Sequence, residues 1–439
     1  MLKRKIEERL LAWKSDSDRK PLIIKGCRQC GKTFSVRYFA EQNYAHVVYL
    51  NFFENPALAE LFSGSLDVDY LTMLMEAEFG PKAVFAEGKT VIILDEIQEC
   101  PQARTALKFF KLDGRYDVIA TGSLLGVKGY GNDPASIPVG YETTMEMYPL
   151  DFEEFLWANG ISNRVINQLR TCLEAEESVP AVLHEKFSEL FRFFAVVGGM
   201  PDAVVKFVDA HRLNDVLQIQ RDLVASYKDD MVKYASPADK GRIRECFESV
   251  PKQLAKENKK FQYSSIRKGG RSSDYLGSIQ WIEDAGITSR CYNLTIPELP
   301  LSGSAMEDVF KVYMNDPGLF VSMLDDGSQA DILRGNLYTY KGAVFENLIA
   351  GIFRKMGRPL YYFHKDSGLE IDFVIRYKGD ATLVEIKASN GKTKSAATVL
   401  GNPDKYHVGQ CIKICEANVS RAGRILTIPH YMAFLLTEL

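Results

Sequence analysis

The octapeptide Gly26-Cys27-Arg28-Gln29-Cys30-Gly31-Lys32-Thr33 has the residue types and spacing of a loop that grips phosphate. Its glycines let backbone N–H groups converge on phosphate oxygens, and a helix after it contributes a positive N-terminal end. Lys32 would reach the β and γ phosphates, and Thr33 would ligate Mg2+. Further along, the apolar run Val91-Ile92-Ile93-Leu94 ends in two carboxylates, Asp95 and Glu96. Asp95 would hold Mg2+ through water, and Glu96 would polarise the water that attacks the γ phosphate. Alone, such a pair is an acidic turn after a buried strand. Together with the loop it points to binding and hydrolysis of a nucleoside triphosphate, with ATP and Mg2+ as the expected cofactors. Thr121 or Ser123, at the end of the next apolar run, stands where a side chain would sense the γ phosphate, although both types are common at strand ends.

A second constellation lies in the C-terminal third. Gly379-Asp380 is a two-residue hairpin signal between the runs 370–377 and 381–387. A tight loop there pairs Lys378 with Ala381, placing Asp372 across from Lys387 and Val374 across from Glu385. Residues two apart share a face, so Asp372, Glu385 and Lys387 project from one side. Two carboxylates to hold Mg2+ and a lysine to orient or activate water are what a metal-dependent phosphodiesterase needs. Glu370 is an alternative ligand. The same face also fits a charged hairpin on a fold kept for binding, and a three-residue loop would turn Asp372 away. The tripeptide Glu-x-Lys carries little by itself, since Glu87-Gly88-Lys89 and Glu257-Asn258-Lys259 repeat it.

The elements that must position these groups can be read from patterning. Leu22-Ile23-Ile24-Lys25 is a strand leading into the phosphate loop, and 34–42 has helical spacing. Runs at 46–52, 91–94 and 116–120 are further strands, alternating with helices. The expected α/β fold is a P-loop domain whose parallel sheet is flanked by helices and carries ligand at its C-terminal edge. Residues 151–235 are rich in helix formers, broken at Val197-Gly198-Gly199-Met200-Pro201, and read as scaffold. From 251 to 271 come Lys252, Lys256, Lys259, Lys260, Arg267, Lys268 and Arg271 against Glu257 alone. The run 273–282 has helix spacing and 287–294 is extended, the order of a winged helix that would contact DNA or another nucleic acid. The recognition-helix candidate itself carries little positive charge. Val312-Tyr313-Met314 is a strand, and Gly342-Ala343-Val344-Phe345-Glu346-Asn347-Leu348-Ile349 a helix.

At 439 residues the chain is expected to hold about three cores with linkers between them: 1–155, 156–300 and 301–439. With 46% hydrophobic and 25% charged residues it should fold throughout. A net charge of -3 excludes a global field for nucleic acid or acidic membranes, so any such contact must be local. The N-terminus lacks a signal-peptide core and no run approaches a membrane span, so a cytoplasmic protein without a membrane partner is expected. The eight cysteines read as reduced thiols. Cys27 and Cys30 form the sole C-x-x-C, and are read as small side chains at tolerant loop positions.

Gly26-x-Arg28-Gln29-x-Gly31-Lys32-Thr33, Leu94-Asp95-Glu96-Ile97-Gln98, Thr121-Gly122-Ser123 and Tyr148-Pro149-Leu150-x-Phe152-x-Glu154-Phe155 together resemble the prokaryotic AAA-type ATPases that end in a restriction-endonuclease-like domain of unknown function. The resemblance spans nearly the whole chain. It implies glutamate-assisted hydrolysis at Glu96 and, through the PD-(D/E)XK nuclease pattern, a nuclease-like α/β domain with Glu346 as a further metal ligand on its first helix. It also implies a homo-oligomer, since many relatives of AAA+ proteins are oligomeric. One departure bears on rate. An arginine usually follows the glycine of the Pro-x-Gly segment, and here Pro138-Val139-Gly140 is followed by Tyr141. Two readings stay open: an ATPase driving a nuclease-like tail on nucleic acid, and a slow nucleotide-dependent switch whose tail is an inert docking module.

Overall fold

The computed structural model describes residues 1–123, 140–234, 239–256, 259–335 and 341–437. Pro138, Val139, Glu257 and Asn258, named above, lie outside the described residues. Five strands form one parallel sheet: β1 (Leu22–Gly26), β2 (His46–Asn51), β3 (Thr90–Asp95), β4 (Asp117–Ser123) and β5 (Thr143–Met147). The order is β2-β3-β4-β1-β5. Continuous apolarity in β3 serves both faces, because alternate residues point opposite ways. Ile92 and Leu94 meet the helices Val68–Phe79 and Pro101–Asp113, while Val91 and Ile93 meet the side of the helix Lys32–Asn43. Strand β5, with its Thr-Thr-Met-Glu-Met sequence, carries no apolar signal and forms on the sheet edge against β1. β1 therefore lies between β4 and β5, where chain connections leave in opposite directions, and its C-terminal end opens on the crevice that α/β sheets use for ligands.

The middle of the chain is helical: Phe152–Ala158, Asn163–Ala175, Ala181–Val197, Pro201–Ala210 and Leu213–Tyr234. Its break at Gly198-Gly199 is a junction. A Cβ on Gly199 would lie 2.0 Å from the Leu150 carbonyl oxygen, and one on Gly198 would lie 2.3 Å from Asp316 Oδ1. Leu150 N donates to the Gly199 carbonyl at 2.7 Å and Gly199 N donates to Asp316 Oδ2 at 2.7 Å. Helices Lys240–Leu254 and Ser272–Asp284 then lead into the antiparallel pair β6 (Thr288–Leu294) and β7 (Ala305–Met314).

That pair is not a free wing. β6 also pairs in parallel with β8 (Leu360–His364), which pairs with β9 (Glu370–Ile371), so the four form the sheet β7-β6-β8-β9. A boundary at residue 300 would cut this sheet. Three apolar clusters are buried, and one of them runs from Ile6 to Leu436, across the expected boundaries. The helical segment presents Phe152 and Phe187, and Phe434 and Tyr431 from the chain's end pack on them.

The last sheet holds β10 (Phe373–Tyr377), β11 (Asp380–Ile386), β12 (Gln410–Cys415), β13 (Ser420–Ala422) and β14 (Ile425–Pro429), ordered β10-β11-β12-β14-β13. The expected strand 370–377 is split at Asp372. The hairpin turn is Lys378-Gly379, with φ of 51° and 87°, rather than Gly379-Asp380, so Arg376 faces Ala381 and Tyr377 faces Asp380. Two left-handed residues are what the tight primed turn requires. The expected register is off by two. An even slip keeps every side chain on its face, and carrying the register one step past Phe373 sets Asp372 opposite Glu385 rather than Lys387.

Candidate functional site

β1 ends at Gly26, where a Cβ would lie 2.3 Å from the Met147 carbonyl oxygen, so only glycine lets β5 pass this close. Positive φ angles at Gln29 (59°) and Gly31 (95°) curl the chain into the helix Lys32–Asn43, at its positive end. A cleft of about 620 Å3 opens here, lined by the loop, Glu96 and the helix Pro201–Ala210 through Pro201 and Val205. The Lys32 ammonium, mostly buried, donates to the carbonyls of Gly26 at 3.2 Å and Cys27 at 3.0 Å.

Asp95, at the end of β3, is 1% exposed. Its carboxylate accepts from Thr33 Oγ1 at 3.1 and 3.0 Å, the Tyr49 hydroxyl at 2.7 Å, the Asn51 amide at 3.3 Å and the Thr121 hydroxyl. Every one of these donors is neutral. Burial, then the bond to Asp95, pushes the Tyr49 hydroxyl up, keeping it a donor. A hydroxyl and a buried carboxylate in mutual contact, beside a loop whose first residue, Gly26, has no room for a side chain, fit Mg2+ held with a phosphate chain. Glu96 has φ 54° and ψ 49°, uncommon for a residue with a Cβ, and its carboxylate accepts from the Gln98 amide. Such outliers cluster at functional sites.

Thr121 stands near the end of β4, against Asp95. Its hydroxyl donates to Asp95 and so positions that carboxylate. Ser123 is buried at the end of β4. Tyr141, in the place of the arginine implied by resemblance, lies with its ring 5.4 Å from Lys108 Nζ, while Arg4 and Arg28 line the cleft.

Sequence reasoning missed what braces the loop. Arg4 is 6% exposed; it donates to the Cys30 carbonyl at 3.0 Å, the Tyr148 carbonyl at 2.7 Å and Glu154 Oε1 at 3.1 Å. Glu154 also accepts from the N–H groups of Lys5 at 2.7 Å and Asp151 at 3.0 Å, closing the capping box of the helix Phe152–Ala158. From the helix Leu213–Tyr234, the Tyr227 hydroxyl donates to the Arg28 carbonyl at 2.9 Å and Asp230 pairs with the Arg28 guanidinium. The contacts of Arg4 and Tyr227 to the loop, across 26 and 199 residues of sequence, leave no local signal.

The C-terminal constellation is a charge cluster. Glu346, 2% exposed on the helix Lys341–Lys355, accepts from Lys311 at 3.0 Å, the Tyr313 hydroxyl and Lys259. Lys311 also donates to Glu370 at 2.9 Å. Burial pushes Glu346 up, but the charges of Lys259 and Lys311 overcome it and bring its pKa to about 2. Asp372 accepts from Ile386 N at 2.7 Å. Burial and then the Glu346 charge raise it to about 6 against Lys311, Lys387 and Lys259. Glu385 accepts from Ala396 N at 2.8 Å and pairs with Lys387 at 2.9 Å. Burial opposes the charge on Lys387, but Asp372 and Glu385 raise its pKa.

Asp372, Glu385, Lys387 and Glu346 thus come into one neighbourhood, but among the described residues no group of three or more His, Cys, Asp or Glu side chains is placed to hold a metal ion. Lysines bond to Glu346, Glu370 and Glu385, and backbone amides bond to Asp372 and Glu385. Lys311, at the centre, was not foreseen.

A family model described as an AAA domain matches residues 18–156, and two domains of unknown function, DUF8612 and DUF4143, match residues 188–330 and 341–431. Among solved structures the chain is similar to the Aeropyrum pernix ORC2 protein in ADPNP–ADP complexes, at 13% identity over 75% of this chain and 90% of that one, TM-score 0.35. It is also similar to the Aeropyrum pernix ORC1 protein in complex with DNA, at 12% identity over 78% and 94%, TM-score 0.31. AMPPCP-bound DnaA from Aquifex aeolicus follows at 12% over 64% and 87%, TM-score 0.28. The search of curated proteins finds no match. Residues 18–156 form an AAA-type P-loop domain. No helix among the described residues is long and apolar enough to cross a membrane.

Proposed function

We propose that this chain binds ATP with Mg2+ in the loop 26–33 and hydrolyses it, and that the C-terminal part is a docking module moved by the nucleotide cycle. The observation that carries the reading is the convergence of Lys32, Thr33 and Glu96 on one cleft, with Asp95 bonded to Thr33. Lys32 and the loop amides would bind the phosphates, Thr33 and Asp95 would hold Mg2+, and Glu96 would orient and deprotonate water. Mg2+ supplies neutralisation of the phosphate charge when bound. Calorimetry with ATP and Mg2+ tests this. Wild-type protein is expected to bind, and Lys32→Ala to bind about 10- to 150-fold more weakly, the loss of one charge-assisted contact. Equal affinities would defeat the assignment.

A nuclease-like action on nucleic acid is the second reading. It draws on the shared face of Asp372, Glu385 and Lys387, and on the exposed Lys252, Lys256, Lys260, Arg267, Lys268 and Arg271 near Lys259, which reaches Glu346. A divalent ion would have to displace lysine from Glu346. Incubation with Mg2+ or Mn2+ and DNA or RNA, with Asp372→Ala alongside, separates the readings: cleavage by the wild type alone supports a nuclease, and no cleavage supports docking.

A further inference from the structure

Cys27 and Cys30 are both buried, at 5% and 0% exposure, inside the phosphate loop. Cys30 Sγ donates to the Met147 carbonyl oxygen at 3.5 Å. Arg28 and Gln29 form the turn between them, Gln29 in the left-handed region. A turn brings its first and fourth Cα atoms within about 7 Å, which overlaps the roughly 4.4–6.8 Å that a disulfide spans. The remaining six cysteines are buried on other elements. We propose that Cys27 and Cys30 are a peroxide-oxidisable pair whose disulfide closes the phosphate loop to nucleotide; this rests on the ATP reading above.

The chemistry is balanced by the peroxide. The Cys30 thiolate attacks one peroxide oxygen, the O–O bond breaks, and Cys30 sulfenic acid and hydroxide form. Cys27 then attacks the Cys30 sulfur, its proton leaves with the sulfenic oxygen as water, and the S–S bond forms. Two thiols and one hydrogen peroxide give one disulfide and two waters. The surroundings favour Cys30 as the attacking group. The Cys27 hydrogen bond, opposed by burial and aided by the charges of Lys32 and Arg4, lowers it to about 6, while Cys27 is pushed up. A small oxidant suits sulfurs this enclosed.

The cost to binding follows from where the loop is pinned. A disulfide draws two sulfurs from contact to about 2 Å. The Cys30 carbonyl is held by Arg4 at 3.0 Å and the Arg28 carbonyl by Tyr227 at 2.9 Å. Cys30 Sγ also lies only 2.9 Å from where a Cβ of Gly26 would stand, so it has little room to move inward. The displacement falls between these anchors, on Gln29, which lines the nucleotide cleft, and its amide loses alignment with phosphate. By linkage, bound nucleotide disfavours the disulfide at equilibrium by the same factor that the disulfide weakens binding.

The test uses the full chain, reduced with dithiothreitol or treated with hydrogen peroxide, with disulfides mapped by mass spectrometry and ATP–Mg2+ affinity measured by calorimetry. The expected result is a 27–30 disulfide, a Kd raised about fivefold or more, and recovery on reduction. In Cys27→Ala the ratio of treated to untreated Kd is expected to fall to one. A mapped 27–30 disulfide with unchanged Kd overturns the proposal. So does peroxide treatment that leaves this pair reduced, or sensitivity that persists in Cys27→Ala. Failure of the reduced wild type to bind any nucleotide sinks the ATP reading first, and this inference with it.

Discussion

The carboxylates at the ends of β3 and at the β9–β10 break are both buried, yet their charges are met in opposite ways. Asp95 is surrounded by hydroxyls and an amide, neutral donors that fix its orientation without cancelling its charge, and an open cleft lies beside its partner Thr33. Glu346, Glu370 and Glu385 are bonded to lysines of the same chain, and Asp372 lies within reach of their charge. The first arrangement keeps a negative charge available to a cation that arrives with a ligand. The second has already supplied its own cations. Residue types alone do not separate a site from a structural ion cluster; the identity of the nearest donors does.

Four substitutions would sharpen or break this contrast. The largest effect is expected from Glu96→Gln, which should slow steady-state ATP hydrolysis by about 10²- to 10⁴-fold with binding retained; an unchanged rate would remove Glu96 from the chemistry. Next, Lys311→Met should destabilise the fold by about 3–5 kcal/mol, because Glu346 and Glu370 lose a buried counter-charge. Denaturant titration measures this, and the double substitution with Glu346→Gln should recover part of the loss. If Lys311→Met were neutral in stability, the cluster would not be structural.

Asp372 gives a smaller and pH-dependent effect. Its folded pKa, about 6, lies above the ordinary 3.8. Between those values the folded state holds a proton that the unfolded chain has released, so this group's contribution falls as pH rises from about 4 to 6 and stays unfavourable above. Glu346 has the opposite sign: with its folded pKa lowered to about 2, its contribution is present above about 4.5 and lost as pH falls towards 2. Asp372→Asn keeps an acceptor for Ile386 N and removes the charge. It should raise stability by on the order of 2 kcal/mol near pH 8 and little near pH 4; equal changes at both would show that the charge is not what costs. The smallest effect belongs to Tyr227→Phe, which removes one hydrogen bond to the phosphate loop, about 1 kcal/mol. A severalfold weaker ATP affinity is the expected readout, and unchanged affinity would mean that the helix Leu213–Tyr234 does not brace the loop.

Strand β3, the loop 26–33 and the carboxylates after β3 were legible in the amino-acid sequence, because an apolar run, its terminal acids and a glycine-bounded octapeptide are local patterns set by backbone geometry. The shared face of Asp372, Glu385 and Lys387 was legible too, since a strand's period of two survives an even error in register. Strand β5 was hidden, as an edge strand made largely of polar residues has no apolar signature. Tertiary structure alone decided that Thr121 turns to Asp95, that Arg4 and Tyr227 hold the phosphate loop, and that Lys259 and Lys311 both bond to Glu346. Those outcomes depend on which distant side chains share a buried volume. Charge neutralisation there is a property of the packed neighbourhood, and no window of sequence contains it.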